Sequence, residues 1–132
     1  MTRKGVVTPL FHRAEAPGIA RQAARRALSR WGVDEDTQDT VELVVSELVT
    51  NAVEHALPPT SLRLCQETSQ ENCCVWVEVS DGGPAGSVGS WTASCDDDEH
   101  GRGLHIVDML SQACGWREGS SGTIRWARFD CR

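Results

Sequence analysis

The chain is 132 residues long with a formal net charge of −6 at pH 7; 39% of its residues are hydrophobic and 24% charged. That length supports one core rather than two domains, and nowhere does the sequence concentrate the basic residues that nucleic-acid binding needs to release counterions. No run approaches the ~20 apolar residues that span a bilayer, and the N-terminal segment Met1 to Val7 lacks the apolar stretch of a secretion signal, so neither nucleic acid nor membrane is expected as a partner and the expected location is cytoplasmic.

Taken in chain order, Val6 to His12 reads as a short edge strand, and residues 1–7 as an N-terminal extension to a domain that spans 8–130. A helix is predicted from Ala16 to Trp31: Pro17 suits its first turn, and Ile19, Ala23, Ala27 and Trp31 recur on one face. Arg21, Arg25 and Arg26 then fall on its wet side, and Gly32 follows as a helix-ending glycine. A second helix starts near Asp34 to Thr37, where acidic residues suit the positive end of the helix dipole. It runs to Ala56 and stops before Pro58 and Pro59, carrying the apolar stripe Val41, Val45, Leu48, Ala52 and Ala56 towards a sheet. Ser61 to Thr68 and Cys74 to Ser80 read as strands; Val75, Val77 and Val79 alternate with Trp76 and Glu78, the pattern of a half-buried strand. From Asp81 to Gly103 the composition turns to Gly, Ser, Asp and Pro, and irregular stretches of that length in a small domain are usually functional or mobile. Leu104 to Ser111 reads as a short helix, with closing strands at Ala113 to Arg117 and Thr123 to Phe129. The order predicts an α+β fold with helices on one face of a mixed, mostly antiparallel sheet.

The six cysteines (Cys65, Cys73, Cys74, Cys95, Cys114 and Cys131) show no C-x₂₋₄-C pair for zinc. In the absence of a secretion signal they are expected to be reduced thiols, some of them serving as small core residues.

Three polar features interrupt the pattern. On the long helix, Glu47 and Asn51 are four residues apart and project side by side, with His55 one turn further on. A carboxylate beside a neutral oxygen ligand suits a hydrated Mg²⁺ and the activation of a hydroxyl, although an isolated E-x-x-x-N is more often a solvated helix face. At the end of a well-marked strand, Asp81-Gly82-Gly83-Pro84 offers a carboxylate to an exocyclic amine such as adenine N6, and glycines that admit a flat ring; alone it reads more readily as a plain turn. Before the third helix, Gly101-Arg102-Gly103-Leu104 offers backbone N–H groups and a guanidinium to phosphate oxygens; alone it reads equally as a flexible linker.

In this order and spacing the three features resemble the N, G1 and G2 boxes of the GHKL superfamily of ATPases and kinases, and within it the anti-sigma factor serine/threonine kinases of the SpoIIAB and RsbW type. Glu47-Leu-Val-Thr-Asn51-Ala-Val-Glu-His55-Ala resembles the N box, Val79-Ser-Asp81-Gly-Gly-Pro the G1 box, and His100-Gly-Arg-Gly-Leu-His-Ile-Val107 the G2 box. Gly122-Thr123 resembles the last adenine-side segment, and the likeness covers residues 8–130 as a single domain. It implies the two-layer α/β sandwich of the Bergerat, histidine-kinase-like ATPase fold, with ATP and Mg²⁺ as ligands. Asn51 would hold Mg²⁺ and His55 would lie beside the nucleotide; Asp81 would read adenine N6 and Gly83 would let the ring in. Gly101, Arg102, Gly103 and Leu104 would form the phosphate lid, Thr123 would bond on the adenine side, and Glu47 would be the general base towards a serine or threonine of a protein substrate. The partners it implies are an anti-anti-sigma protein and a sigma factor, in a bacterial transcription switch, with homodimers common among members. All but one of the thirteen basic residues is arginine, as in GC-rich bacterial genomes. The sequence departs from the family at Ala85, where many members have another glycine, and in the acidic run Asp96-Asp97-Asp98-Glu99, which reads as a solvated loop. A non-catalytic module that uses ATP only to present a binding surface is the alternative; a base at position 47 favours the kinase.

Overall fold

The apolar stripe of the second helix becomes the spine of the molecule. The computed structural model describes residues 1–84 and 101–131, of which 101–104 are described by backbone alone. Its elements are β1 (Thr2–Leu10), α1 (Ala16–Arg30), α2 (Glu35–His55), β2 (Thr60–Thr68), β3 (Cys73–Ser80), α3 (Gly101–Leu110), β4 (Ala113–Glu118) and β5 (Thr123–Asp130). Val41, Val45, Leu48, Ala52 and Ala56 are all buried, joined by Val44 and Val49. Burying one such valine or leucine is worth about 1.5–3 kcal/mol, so this stripe outweighs the helix's single cap, worth about 1 kcal/mol. That cap is Asp34, whose side chain accepts a hydrogen bond from the Thr37 N–H at 3.0 Å and another from the Thr37 hydroxyl. Glu35 and Asp36 fill the first turn, and Ala56 ends the helix in an extended conformation.

The five strands form one sheet in the order β1-β2-β3-β5-β4. The mostly antiparallel sheet expected from the sequence is present, and it is antiparallel at all four ladders. β5 returns between β3 and β4, so each neighbour runs opposite to it. α1 and α2 pack together and on the sheet, and α3 packs against α2 and β4. Among the described residues no helix is long and apolar enough to cross a membrane.

Three expectations change. The first strand is longer than Val6 to His12: β1 pairs with β2 from Thr2 opposite Thr68 to Leu10 opposite Thr60, so most of residues 1–7 belongs to the sheet rather than to an extension. The buried face of α1 is Ala16, Ala20, Ala24, Ala27 and Leu28, rotated from the expected stripe, and Ile19 is 48% exposed. Alanines bring α1 close to α2, and the contact is bordered by Arg25, which pairs with Glu42 and, at 2.6 Å, with Asp39. Trp31 caps α1, and Gly32 follows with φ of 74°, the left-handed turn that the sequence predicted there.

The third concerns the thiols. Cys73 and Cys131 form a disulfide rather than a reduced pair. The β3–β5 register sets Cys74 opposite Asp130, which leaves Cys73 facing Cys131 across the end of the ladder. Their Cα atoms are 5.2 Å apart, and the Cys131 N–H donates to the Cys73 carbonyl at 3.0 Å. Cys65, Cys74 and Cys114 carry no disulfide; Cys95 lies outside the described residues. Among those residues no group of three or more His, Cys, Asp or Glu side chains forms a metal cluster.

Candidate functional site

Glu47, Asn51 and His55 follow one another at four-residue spacing along α2 and are each half-buried, beside the fully buried stripe. The helical rise sets Glu47 and His55 about 12 Å apart along the axis. The side-chain amide nitrogen of Asn51, Nδ2, is buried and has no hydrogen-bond partner among the described residues. A buried polar atom left unbonded costs about 1–3 kcal/mol, and amide oxygen and nitrogen exchange places by a simple flip. Asn51 thus has the chemistry of a residue kept for a ligand, and its oxygen suits a hard cation that takes few protein donors and completes its shell with phosphate and water. His55 closes the helix with Nε2 3.7 Å from Glu54 Oε1.

One residue past His55 the chain meets the second part of the site. Ala56 bridges Pro84; the Gly82 N–H donates to the Leu57 carbonyl at 2.6 Å, and the Leu57 N–H to the Gly83 carbonyl at 2.8 Å. These bonds clamp the turn after β3 to the end of α2. The approach is so close that a Cβ on Gly82 would fall on the Pro58 carbonyl oxygen. Gly83 serves differently: its φ of 101° demands glycine, and no atom of the described residues beyond its own chain neighbours lies within 4 Å of where a side chain would start.

Asp81 is 5% exposed and lies where β3 ends beside the start of β5. Its N–H donates to the Thr123 carbonyl at 3.0 Å. Its Oδ1 accepts from the Gly83 N–H at 2.8 Å and from the Thr123 N–H at 3.4 Å. Among the described residues Oδ2 accepts none, so the carboxylate is held by one oxygen and offers the other. Burial pushes the Asp81 carboxyl up from its ordinary range, opposed by those two N–H groups and by the charges of Arg125 and His12. Thr123 is likewise buried. Gly122 packs so tightly on Asp81 that a Cβ there would strike the Asp81 carbonyl oxygen.

The structure therefore joins Asp81, Gly83 and Thr123 directly and fastens them to the helix that carries Glu47, Asn51 and His55. Gly101, Arg102, Gly103 and Leu104 were expected just before a helix; they are instead the first turn of α3, so its N-terminal N–H groups come from those residues. Ala85 and the acidic run Asp96 to Glu99 lie outside the described residues, as does His100. Sequence reasoning passed over Gly82 and Gly122 as contact points. Their only signal was adjacency to Asp81 and Thr123, because what they provide is room for backbone.

A family model described as the histidine kinase-like ATPase domain matches residues 12–129. No curated protein matches the sequence significantly. Among solved structures, the crystal structure of the RsbU and RsbW domains of Rv1364c from Mycobacterium tuberculosis superposes with a TM-score of 0.68 at 20% identity. That match covers 98% of this chain and 33% of the other, so the chain spans about a third of the solved protein's length and the likeness is one of fold.

Proposed function

This chain belongs to the histidine kinase-like ATPase domain family, and on that premise we propose that it binds Mg-ATP and transfers the terminal phosphoryl group to a serine or threonine of an anti-anti-sigma protein, holding a sigma factor when that antagonist is lacking. The observation that carries the reading is the Asp81 carboxylate, buried, anchored through Oδ1 by two backbone N–H groups and presenting Oδ2. An acceptor so fixed suits the N6 amine of adenine and meets the carbonyl oxygen of guanine unfavourably. Leaving a buried polar group unpaired is what gives such sites their selectivity. The space at Gly83, clear of the described residues, suits the flat ring, and Thr123, on β5, is bonded to Asp81 beside it through its N–H.

Asn51, with its unpartnered buried amide, is the residue assigned to the magnesium ion. When bound, magnesium would supply neutralisation of the charge on the phosphates. The first turn of α3, Gly101 to Leu104, offers backbone N–H groups to those phosphates. Glu47, one turn before Asn51, is the base that takes the hydroxyl proton from the substrate side chain. His55 borders the nucleotide from the last turn of α2. The shared fold with a solved protein that contains an RsbW domain supports an anti-sigma role.

Calorimetric titration with Mg-ATP and Mg-GTP, alongside Asp81→Asn, tests the reading. ATP should bind clearly tighter. Asparagine can keep Oδ1 on the Gly83 and Thr123 N–H groups while turning a donor towards the base, so the variant should lose about tenfold or more in ATP affinity and gain relative affinity for GTP. Binding of neither nucleotide would remove the pocket from the account.

A further inference from the structure

β5 contributes a row of inward side chains, Thr123, Arg125, Ala127 and Phe129, each buried beneath the helices. Three of the four suit that face. Arg125, only 3% exposed, is a guanidinium in a line of core residues. Taking a cation out of water costs several kcal/mol unless a charge of opposite sign repays it. Arg125 stands opposite Val79 in the β3–β5 ladder, and the inward row of β3 continues from Val79 to Asp81. Arg125 is therefore the diagonal neighbour of Asp81 on the same face, within reach of a long side chain. Its charge acts on the Asp81 carboxyl, as does that of His12, a half-buried residue between β1 and α1 whose Nδ1 lies 3.3 Å from the Thr60 hydroxyl.

The guanidinium is charged at every physiological pH. Burial at the strand end keeps water from competing for Oδ2, yet it favours the protonated acid, and a protonated Oδ2 would donate to the carbonyl oxygen of guanine. The pocket needs a dry carboxylate that nevertheless stays ionised. We propose that Arg125 is the positioning residue that holds Asp81 in its anionic, acceptor-only form and so sets the preference of this pocket for adenine over guanine. The inference rests on the adenine-reading role proposed above for Asp81.

The test follows the Asp81 carboxyl directly, by ¹³C NMR titration of aspartate-labelled protein without nucleotide, the resonance assigned by its loss in Asp81→Asn. Removing the cation leaves burial less opposed, so in Arg125→Met the titration midpoint should move up by about one pH unit. Arg125→Lys should return it towards the parent value. The fading of ATP preference over GTP on acidification should set in correspondingly earlier in Arg125→Met. A folded Arg125→Met protein with an unmoved midpoint would overturn the proposal. Where Arg125→Met fails to fold, the double variant Asp81→Asn/Arg125→Met decides: recovery of the fold supports the pairing, and equal instability overturns it. A moved midpoint in a protein that binds neither nucleotide keeps the charge pairing and overturns the base preference, which separates this inference from the ATP reading beneath it.

Discussion

Opening the Cys73–Cys131 disulfide should cost the domain stability while leaving its nucleotide site untouched. The bond closes a loop with a sequence separation of 58. In the chain-entropy account the cross-link removes about 2.1 + 1.5R ln n cal/mol/K from the unfolded chain, which for this loop comes to about 4 kcal/mol at 25 °C. The native state has little to gain from the bond in return, since the β3–β5 ladder already holds both ends by backbone hydrogen bonds. Cys131→Ser, or the parent protein under dithiothreitol, should therefore unfold at lower urea with an unchanged native circular dichroism spectrum. In a chain of this size that loss corresponds to a melting temperature lower by about 10 °C or more. Asp81 lies at the opposite end of β3, about 25 Å from Cys73 at the usual rise of a strand, so the dissociation constant for Mg-ATP should not move. Equal urea midpoints for oxidised and reduced protein would refute the entropic reasoning, and a changed nucleotide affinity at equal foldedness would refute the separation of staple and site.

Glu47→Ala should cut phosphoryl transfer to a partner protein by about 10²-fold or more while Mg-ATP binding persists; equal partner phosphorylation would return Glu47 to an ordinary helix face. Gly122→Ala drives a methyl group against the Asp81 carbonyl, and should cost about 1–3 kcal/mol in a urea melt and weaken Mg-ATP binding; a folded variant with parent affinity would mean that Asp81 does not set the base contact. Burial pushes the Cys74 thiol up from its ordinary range, so its alkylation by iodoacetamide should accelerate only at higher pH than that of a free cysteine. Ionising it works against the fold, so its contribution to stability is lost as pH rises through that raised value, and an ordinary alkylation profile would refute the assignment.

Where the sequence was legible, a strong local signal coincided with burial. α2 carried a capping aspartate, acidic first-turn residues and an apolar stripe that is buried at every position named. β3 alternated cleanly because it is an inner strand with one covered face. β1 was read too short because an edge strand with most residues exposed carries no alternation to detect. The face of α1 was misplaced because a strict four-residue repeat drifts from the helical period of 3.6, and the small residues that face α2 are alanines rather than large apolar side chains. The start of α3 was set too late because glycines read as loop, yet Gly101 and Gly103 lie in its first turn. The disulfide was invisible, since its partners meet only through a strand register that no local pattern encodes. At the site, side chains with distinctive chemistry (Asp81, Asn51, Glu47) could be named from spacing. Gly82, Gly122 and Arg125 could not, because each matters for what it packs against.

The strand order has a consequence for how the domain breathes. Among the described residues β1 and β4 are the outer strands, each with a neighbour on one side alone, while β3 and β5 are flanked on both sides. Amide hydrogen exchange should therefore rank them, with β1 and β4 opening at low free-energy cost and β3 and β5 approaching the cost of global unfolding. Asp81 and Thr123 sit at the ends of those two inner strands. The groups assigned to base recognition thus belong to the slowest-exchanging part of the sheet, and fraying at either margin leaves them in register.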